Sequence, residues 1–481
     1  MNRMNNHNDE KKLPPLPKGW VWIRVDDTIK KIPTTNKKLK KRDYLDKGKL
    51  PVIDQGQEFI GGYTNKEELK INCNVPAIIF GDHTKIIKFV NFDFVPGADG
   101  VKVIRPLEAF SPKLFYYFLH ALTLPEKGYA RHFQYLVKAY VPLPPLPEQH
   151  RIVAKIEELF TRLDAGVKSL KKAKEQLRWY RQSVLKAAME GKLTEEWRKQ
   201  HKDELEPASM LIEKIKEERK KKLGNKYKEL PPVDTEDLPE LPEGWVWTRL
   251  GNVTDLTSGR AFKKKEYSID GIRLLQIANV SFGKIIWDKI AYLPSDYIEK
   301  YPELALKTGD VLMALNRPIL ESKLKIGELK ERDAPAILYQ RVGRFDFYGI
   351  SMKPYFLYYL QSPFFLYNLK VSLQGVDQPF VNKPKLLNIP LSLPSLLEQR
   401  QIVLEIERRF SIIDEMEKTV EQGLKQAERL RQSILKRAFE GKLVPQNPDD
   451  EPASVLLERI KEEKAKRQNK KYQMRLNKHV K

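Results

Sequence analysis

The triplet Gly81-Asp82-His83 sets a carboxylate beside an imidazole, the pairing from which general bases are built. A lone Asp-His pair, however, is more often part of a turn than of a catalytic site. The triplet therefore reads as a turn with a satisfied imidazole in preference to a catalytic pair. The seven histidines are scattered, with no His-x-x-x-His to present two metal ligands on one helical face, and Cys73 is the only cysteine. No Gly-x-x-x-x-Gly-Lys-Ser/Thr is present to cradle a nucleotide phosphate. No Gly-x-Gly-x-x-Gly follows a strand to bind a dinucleotide or S-adenosylmethionine. An Asn-Pro-Pro-Tyr motif, which would grip a flipped base, is also missing; Asn447-Pro448-Asp449-Asp450 reads as a helix-terminating turn. The expectation is a chain with no catalytic and no metal-binding residues. A stand-alone nuclease or methyltransferase-type enzyme is the alternative, since divergent nucleases carry carboxylates without a motif.

Composition points to a partner instead. The 481 residues carry a formal charge of +23, a field that attracts polyanions, nucleic acid foremost. With 41% hydrophobic residues most of the chain should fold. No run approaches the ~20 apolar residues of a membrane helix. The N-terminal stretch has no apolar core of a signal peptide, so the expected location is cytoplasmic, without membrane contact.

The elements that would position any site are announced by a repeat. Leu143–Thr194 registers without a gap on Leu393–Val444, 250 residues later: Glu148-Gln149 on Glu398-Gln399, Arg181-Gln182-Ser183 on Arg431-Gln432-Ser433, Gly191-Lys192-Leu193 on Gly441-Lys442-Leu443. Leu16-Pro17-Lys18-Gly19-Trp20-Val21-Trp22 returns as Leu241-Pro242-Glu243-Gly244-Trp245-Val246-Trp247 at an offset of 225. Each half is thus an opening phrase, a variable module and a long helix. Strand runs are expected at Ala77–Phe80, Ile86–Val90, Arg273–Ile277 and Asp310–Leu315. Module helices are expected after Ser111-Pro112 and at Pro354–Leu360. Gly128–Phe133 aligns with Gly375–Phe380 at an offset of 247.

Spacings of 4-3-4-3 give the long helix a heptad seam over about five heptads. Its principal members are Ile152, Ile156, Leu163, Leu170, Leu177 and Val184, then Ile402, Ile406, Ile413, Val420, Leu430 and Ile434. One such rod cannot bury its seam alone; two in one chain can bury each other. An antiparallel coiled coil is expected, with the modules at opposite ends and a pseudo-twofold internal repeat. A second repeated helix begins at Glu206-Pro207-Ala208-Ser209 and again at Glu451-Pro452-Ala453-Ser454. It is expected to be a cap on its own rod, a dock for two copies of one partner, or both.

Two modules opening Leu-Pro-x-Gly-Trp-x-Trp and closing on Leu-Pro-x-Leu-x-Glu-Gln-x-x-Ile-Val, before a long helix ending Glu-Gly-Lys-Leu, resemble the specificity subunit of type I restriction-modification enzymes. The resemblance spans nearly the whole chain. Taken with the α+β pattern of the modules, the polar start and the proline-rich acidic stretch between the halves, it gives an expected α+β layout of a disordered tail (1–12), target recognition domain 1 (13–142), helical spacer 1 (143–222), a linker (223–240), target recognition domain 2 (241–392), helical spacer 2 (393–470) and a basic tail (471–481). It also implies that each module reads one half of an asymmetric bipartite site in double-stranded DNA. Two modification subunits would dock on the helices and restriction subunits would join them. S-adenosylmethionine, ATP and magnesium would be used by those partners, with no cofactor in this chain. A non-specific nucleic-acid-binding coiled-coil scaffold is a further alternative.

No motif marks the base contacts, so donor chemistry in turn-rich segments selects them: Arg or Lys for guanine, Asn or Gln for adenine. The candidates are Tyr63, Asn65, His83, Lys85 and Arg131 in the first module. In the second they are Asn316, Arg317, Lys323, Gln340 and Gln378.

Overall fold

The structure is a computed structural model and describes residues 13–72, 75–108, 110–126, 128, 130–349, 353–462 and 465–466. The tails expected at 1–12 and 471–481 lie outside the described residues. The chain divides into two compact units, Met1–Lys171 with Glu421–Lys481, and Lys172–Val420. The division falls inside both long helices, Leu146–Met189 and Leu396–Phe439, each of 44 residues.

The first unit contains strands β1 (Val21–Arg24), β2 (Ile29–Ile32), β3 (Leu50–Ile53), β4 (Gly62–Thr64), β5 (Ala77–Gly81), β6 (Ile87–Val90), β7 (Val95–Pro96), β8 (Val101–Pro106) and β9 (Tyr140–Leu143). One antiparallel sheet runs β2-β8-β5-β6, and a second runs β4-β3-β7 with β7 parallel to β3. β5 is buried along its whole length because both its faces carry core. Ile78 and Phe80 pack on the side of the Pro112–Ala121 helix, while Ala77 and Ile79 enter a separate cluster with Ile53 and Phe94. That helix starts as its sequence dictates, with the Ser111 hydroxyl accepting from Leu114 N–H and proline in the first turn. Antiparallel pairing of β1 with β9 joins the opening phrase to the entry of the long helix.

The second unit contains β10 (Val246–Arg249), β11 (Thr254–Ser258), β12 (Ile272–Leu275), β13 (Ala291–Leu293), β14 (Ala305–Leu306), β15 (Val311–Ala314), β16 (Ile319–Leu320), β17 (Lys323–Leu324), β18 (Ile326–Glu328), β19 (Ala336–Leu338), β20 (Val342–Phe347) and β21 (Pro390–Leu393). Its sheets run β11-β20-β15-β18 and β13-β12-β19-β14, with β12 parallel to β19 and β10 antiparallel to β21. Strand for strand this repeats the first unit, although the modules share almost no text. β14 and the β16–β17 hairpin are additions. The short turn Asp82–Ile86 between β5 and β6 becomes the long loop Leu315–Lys325 between β15 and β18.

The alignment of Phe133 with Phe380 does not hold. Short helices at Phe133–Leu136 and Lys383–Leu387 precede β9 and β21, so the register here is already 250. Phe380 lies ahead of its helix, bridged to Gln374 and Asn316.

Within each unit the long-helix segments meet running in opposite directions. Ile152 and Ile156 share a core with Leu435 and Ala438, and Asp164 pairs with Arg431. In the second unit Val184 and Ala188 share a core with Ile402 and Ile406, and Arg181 pairs with Asp414. Of the expected seam, Ile152, Ile156, Val184, Ile402, Ile406, Ile413 and Val420 are buried. Leu163, Leu170, Leu177 and Ile434 are half-buried. Leu430 is the exception, 45% exposed, as is its repeat partner Tyr180 at 48%. A straight helix drifts ~20° per heptad against a strict seven-residue repeat, so the next residue along, Arg431 or Arg181, takes the inward place.

The second repeated helix caps its own unit. Ala208, Leu211, Ile212 and Ile215 of Ala208–Leu223 are buried, and Ala208 N–H donates to Gly244 O at 2.8 Å. Residues 453–462 are likewise helical; Ala453, Leu456 and Ile460 are buried, and Ala453 N–H donates to Gly19 O at 2.8 Å. The segment read as a linker is strapped to the second unit: Arg219 donates to Lys228 O, Arg249 to Pro231 O and Pro232 O, and Trp247 Nε1 to Pro239 O.

Candidate nucleic-acid interface

The repeated words of the sequence explain how each module is held. Trp20 Nε1 donates to Glu148 Oε2 at 2.9 Å, and Trp245 Nε1 donates to Glu398 Oε2 at 2.8 Å. The opening phrase is thereby fastened to the first turn of the long helix. Gln149 and Gln399 complete the joint by donating to Pro144 O and Pro394 O. These residues are buried, so the motifs that identify the repeat build the frame that holds each module.

In the first module three of the five candidates gather at the β5–β6 turn. His83 N–H donates to Gln55 Oε1 at 3.2 Å, and Lys85, at φ +59°, donates its N–H to Gly81 O at 2.9 Å. Asp82 is buried and tied across: its carbonyl accepts from His132 N–H at 2.7 Å and its carboxylate from Phe133 N–H at 2.9 Å. That link brings exposed Arg131 beside the turn. Asp82 is thus a structural carboxylate. Tyr63 and Asn65 lie apart, on and after β4. Tyr63 exchanges backbone hydrogen bonds with Leu45, and Asn65 Oδ1 accepts from Lys49 N–H at 3.0 Å. Cations that donor reasoning missed surround the turn. Lys102 lies 3.6 Å from Asp82, and Lys102 and Lys31 lie 5.8 and 5.7 Å over the Phe133 ring. Lys38 has its pKa lowered, first by burial and then by Lys102.

In the second module the candidates converge on the corresponding loop. Arg317, at φ +45°, donates its backbone N–H to Pro379 O at 2.6 Å and a guanidinium N–H to Asp377 O at 3.3 Å. Asn316 bridges Phe380, so Gln378 belongs to the same cluster. Lys323 follows on the β16–β17 hairpin, 5.8 Å over the Phe282 ring. Gln340 donates Nε2 to Tyr339 Oη at 3.3 Å, and Leu315 N–H reaches Arg341 O at 2.8 Å, which closes the group. Arg260 and Arg341 were missed. Arg260 stacks 4.7 Å over Tyr301 and accepts at its carbonyl from Gln340 N–H; the turn signal Ser258-Gly259 before it could have found it. Arg341 owes its place to φ +68°, for which the sequence holds no signal. Lys325 has its pKa lowered by burial and donates to Ile277 O, an internal support and not a contact.

Both clusters thus sit at topologically equivalent places, the loop between β5 and β6 or between β15 and β18 together with the segment before the short helix that precedes β9 or β21. They present amide, guanidinium and ammonium donors. Among the described residues no group of three or more His, Cys, Asp or Glu could hold a metal ion, and no helix is long and apolar enough to cross a membrane.

A family model described as the type I restriction modification DNA specificity domain matches residues 17–175 and 242–426, one match per half. Among curated proteins, the specificity subunit of the type I restriction enzyme MjaVIII of Methanocaldococcus jannaschii is 42% identical over 212 residues, 44% of this chain and 49% of that protein. The EcoAI specificity subunit of Escherichia coli is 35% identical over 222 residues, covering 45% and 35%. The EcoBI specificity subunit of Escherichia coli is 29% identical over 337 residues, covering 68% and 64%. Each match spans less than two thirds of its relative. A chain from a structural study of complex assembly and conformational transition of the type I R-M system shares the fold, with TM-score 0.60, 19% identity, and 89% of this chain and all of that one covered. The family model reaches both opening phrases and runs into both long helices, and this chain belongs to the family of type I restriction-modification DNA specificity domains.

Proposed function

We propose that the chain is the non-catalytic specificity subunit of a cytoplasmic type I restriction-modification complex, each module reading one half of an asymmetric bipartite site in double-stranded DNA. The observation that carries this reading is the contrast between frame and loops: two modules of one strand order, fastened by the same Trp–Glu pair, but with different donors at the equivalent loops. Equal frames suit one docking partner, and unequal loops suit unlike half-sites. The charge of +23 supplies the salt-sensitive phosphate attraction, and the loop donors supply base readout.

In this reading the two long helices form an antiparallel coiled coil that spaces the modules. Each is 44 residues, roughly 66 Å at ~1.5 Å per residue, enough to set half-sites about one turn of duplex apart or more. Two modification subunits dock on the helices, and restriction subunits join them. Those partners bring S-adenosylmethionine, ATP and magnesium. The test exchanges residues 25–142 for another module and sequences the bound or methylated DNA. One half-site changes and the other is retained; a change in both halves or in neither would refute the reading. Deleting Ala173–Gln176 is expected to change the spacing and leave both half-sites intact.

A further inference from the structure

The loop from Gln374 to Phe380 is closed on itself and pinned from outside. Gln374 and Phe380 exchange both backbone hydrogen bonds at 2.8 Å, and Asn382 Nδ2 donates to Gln374 Oε1 at 3.0 Å. Arg317 holds the far side through Pro379 O and Asp377 O. At the tip Gly375 takes φ +81°, and Val376 beside it is 95% exposed.

Loop tips are usually Asn, Asp, Ser or Gly, whose side chains or freedom serve the turn; a β-branched aliphatic serves it in no way. An unrestrained loop could fold such a side chain back onto the surface. Here the paired strand ends and the Arg317 clamp keep it out. The surroundings say what it faces. Gln378 on the same loop, and Asn316 and Arg317 joined to it, offer amide and guanidinium donors. An apolar tip among such donors suits an A·T pair in the major groove, where adenine shows N7 and N6 to an amide and thymine shows its 5-methyl.

The geometry points to Val376 as a specificity-determining residue of the second module, packing on the 5-methyl of a thymine in its half-site. This rests on the DNA-reading role proposed above and adds a base identity to it.

Uracil in place of thymine removes that methyl and keeps the pairing, so it isolates the contact. The full chain is used to select duplexes from a random pool, and the selected duplex is remade with uracil at each thymine in turn. One position in the second half-site is expected to weaken wild-type binding about four-fold, the effect of one buried methyl. Val376→Ala is expected to bind the thymine and uracil forms equally, with an unchanged melting temperature. Ile269→Ala removes an aliphatic that is 98% exposed on another loop and should keep the wild-type four-fold difference. Discrimination by Val376→Ala equal to wild type, or no sensitive thymine, would overturn the assignment while the specificity reading stands. A pool that yields no enriched sequence would overturn both.

Discussion

Arg181 donates to Asp414 at 2.5 Å while its guanidinium lies 4.4 Å above the Phe410 ring. The same trio recurs with roles exchanged between the helices: Arg431 pairs with Asp164 and lies 4.3 Å above Phe160. A planar guanidinium can stack and hydrogen-bond at once, which an ammonium cannot. Asp414 and Asp164 are largely exposed, so the rings should carry most of the energy. Arg181→Lys and Arg431→Lys are each expected to cost about 1 kcal/mol, and Asp414→Asn less. The two arginine effects should add, because the trios share no partner. Urea unfolding of the single and double variants checks this.

Glu148 and Glu398 hold equivalent tryptophans in unequal settings. Glu398 Oε1 accepts from Thr194 at 2.8 Å and Arg198 at 2.6 Å. Glu148 is 1% exposed and, among the described residues, its Oε1 has no hydrogen-bond partner. Val444, the repeat partner of Thr194, has no hydroxyl to offer. Burial raises the Glu148 pKa, with Trp20 and Arg151 opposing. A carboxyl whose pKa rises on folding costs stability in its ionised form. That cost is present above the raised pKa and fades as pH falls through it toward the ordinary carboxylate value. The first unit should therefore gain stability from neutral into weakly acidic pH. Glu148→Gln keeps an acceptor for Trp20, flattens that response and leaves neutral-pH stability equal or higher. Glu398→Gln removes the counter-charge of the largely buried Arg198 and costs about 3 kcal/mol. Melting curves between about pH 5 and pH 7, where ordinary carboxylates are already ionised, separate the two.

Trp20, Glu148 and their repeats were legible because burial and hydrogen bonding impose the same words twice. The starts of β5 and of the Pro112–Ala121 helix were legible because a short apolar run bounded by turn residues and a Ser-Pro pair are local signals. The shared strand order of the modules was not, since many apolar texts satisfy one sheet. Nor was the inward turn of Arg181 and Arg431, which a strict heptad count places outside. His83, Lys85 and Arg131 were chosen for chemistry and do assemble, but through the Asp82 bridge to His132, a tertiary contact that no local signal announces. Tyr63 and Asn65 had the same chemistry and belong to another sheet edge.

Two glycines just beyond the ends of the long helices predict opposite outcomes from a third inside the first of them. Gly191 and Gly441 take φ +69° and +67°, and a Cβ there would fall 2.4 Å from Pro242 and Pro17 respectively. These contacts seat each opening phrase against the end of a long helix. Alanine at either position meets both a left-handed backbone and a clash, and should cost about 2 kcal/mol or more. Gly166 sits within the helix, and among the described residues nothing lies within 4 Å of its added Cβ. Gly166→Ala should stabilise by up to about 1 kcal/mol through helix propensity. Thermal melts of the three variants decide it, and a neutral Gly441→Ala would show that the Pro17 contact yields freely.

Arg131 and Arg317 occupy equivalent clusters but are held differently, which separates phosphate from base contact. Exposed Arg131 stands among Lys31, Lys85 and Lys102, a group suited to a phosphate backbone. Arg317 is oriented by Asp377 O and by its own anchored backbone, as bidentate reading of guanine requires. Arg131→Ala should weaken binding to specific and random duplexes alike and lower the slope of log affinity against log salt by about one. Arg317→Lys should relax one position of the second half-site by about 1–3 kcal/mol, leaving the first half-site and the salt slope as they were. Competition titrations at two salt concentrations measure both. A lowered slope for Arg317→Lys with unchanged base preference would move that arginine to the phosphate backbone, and the reading of guanine would pass to another side chain of the loop.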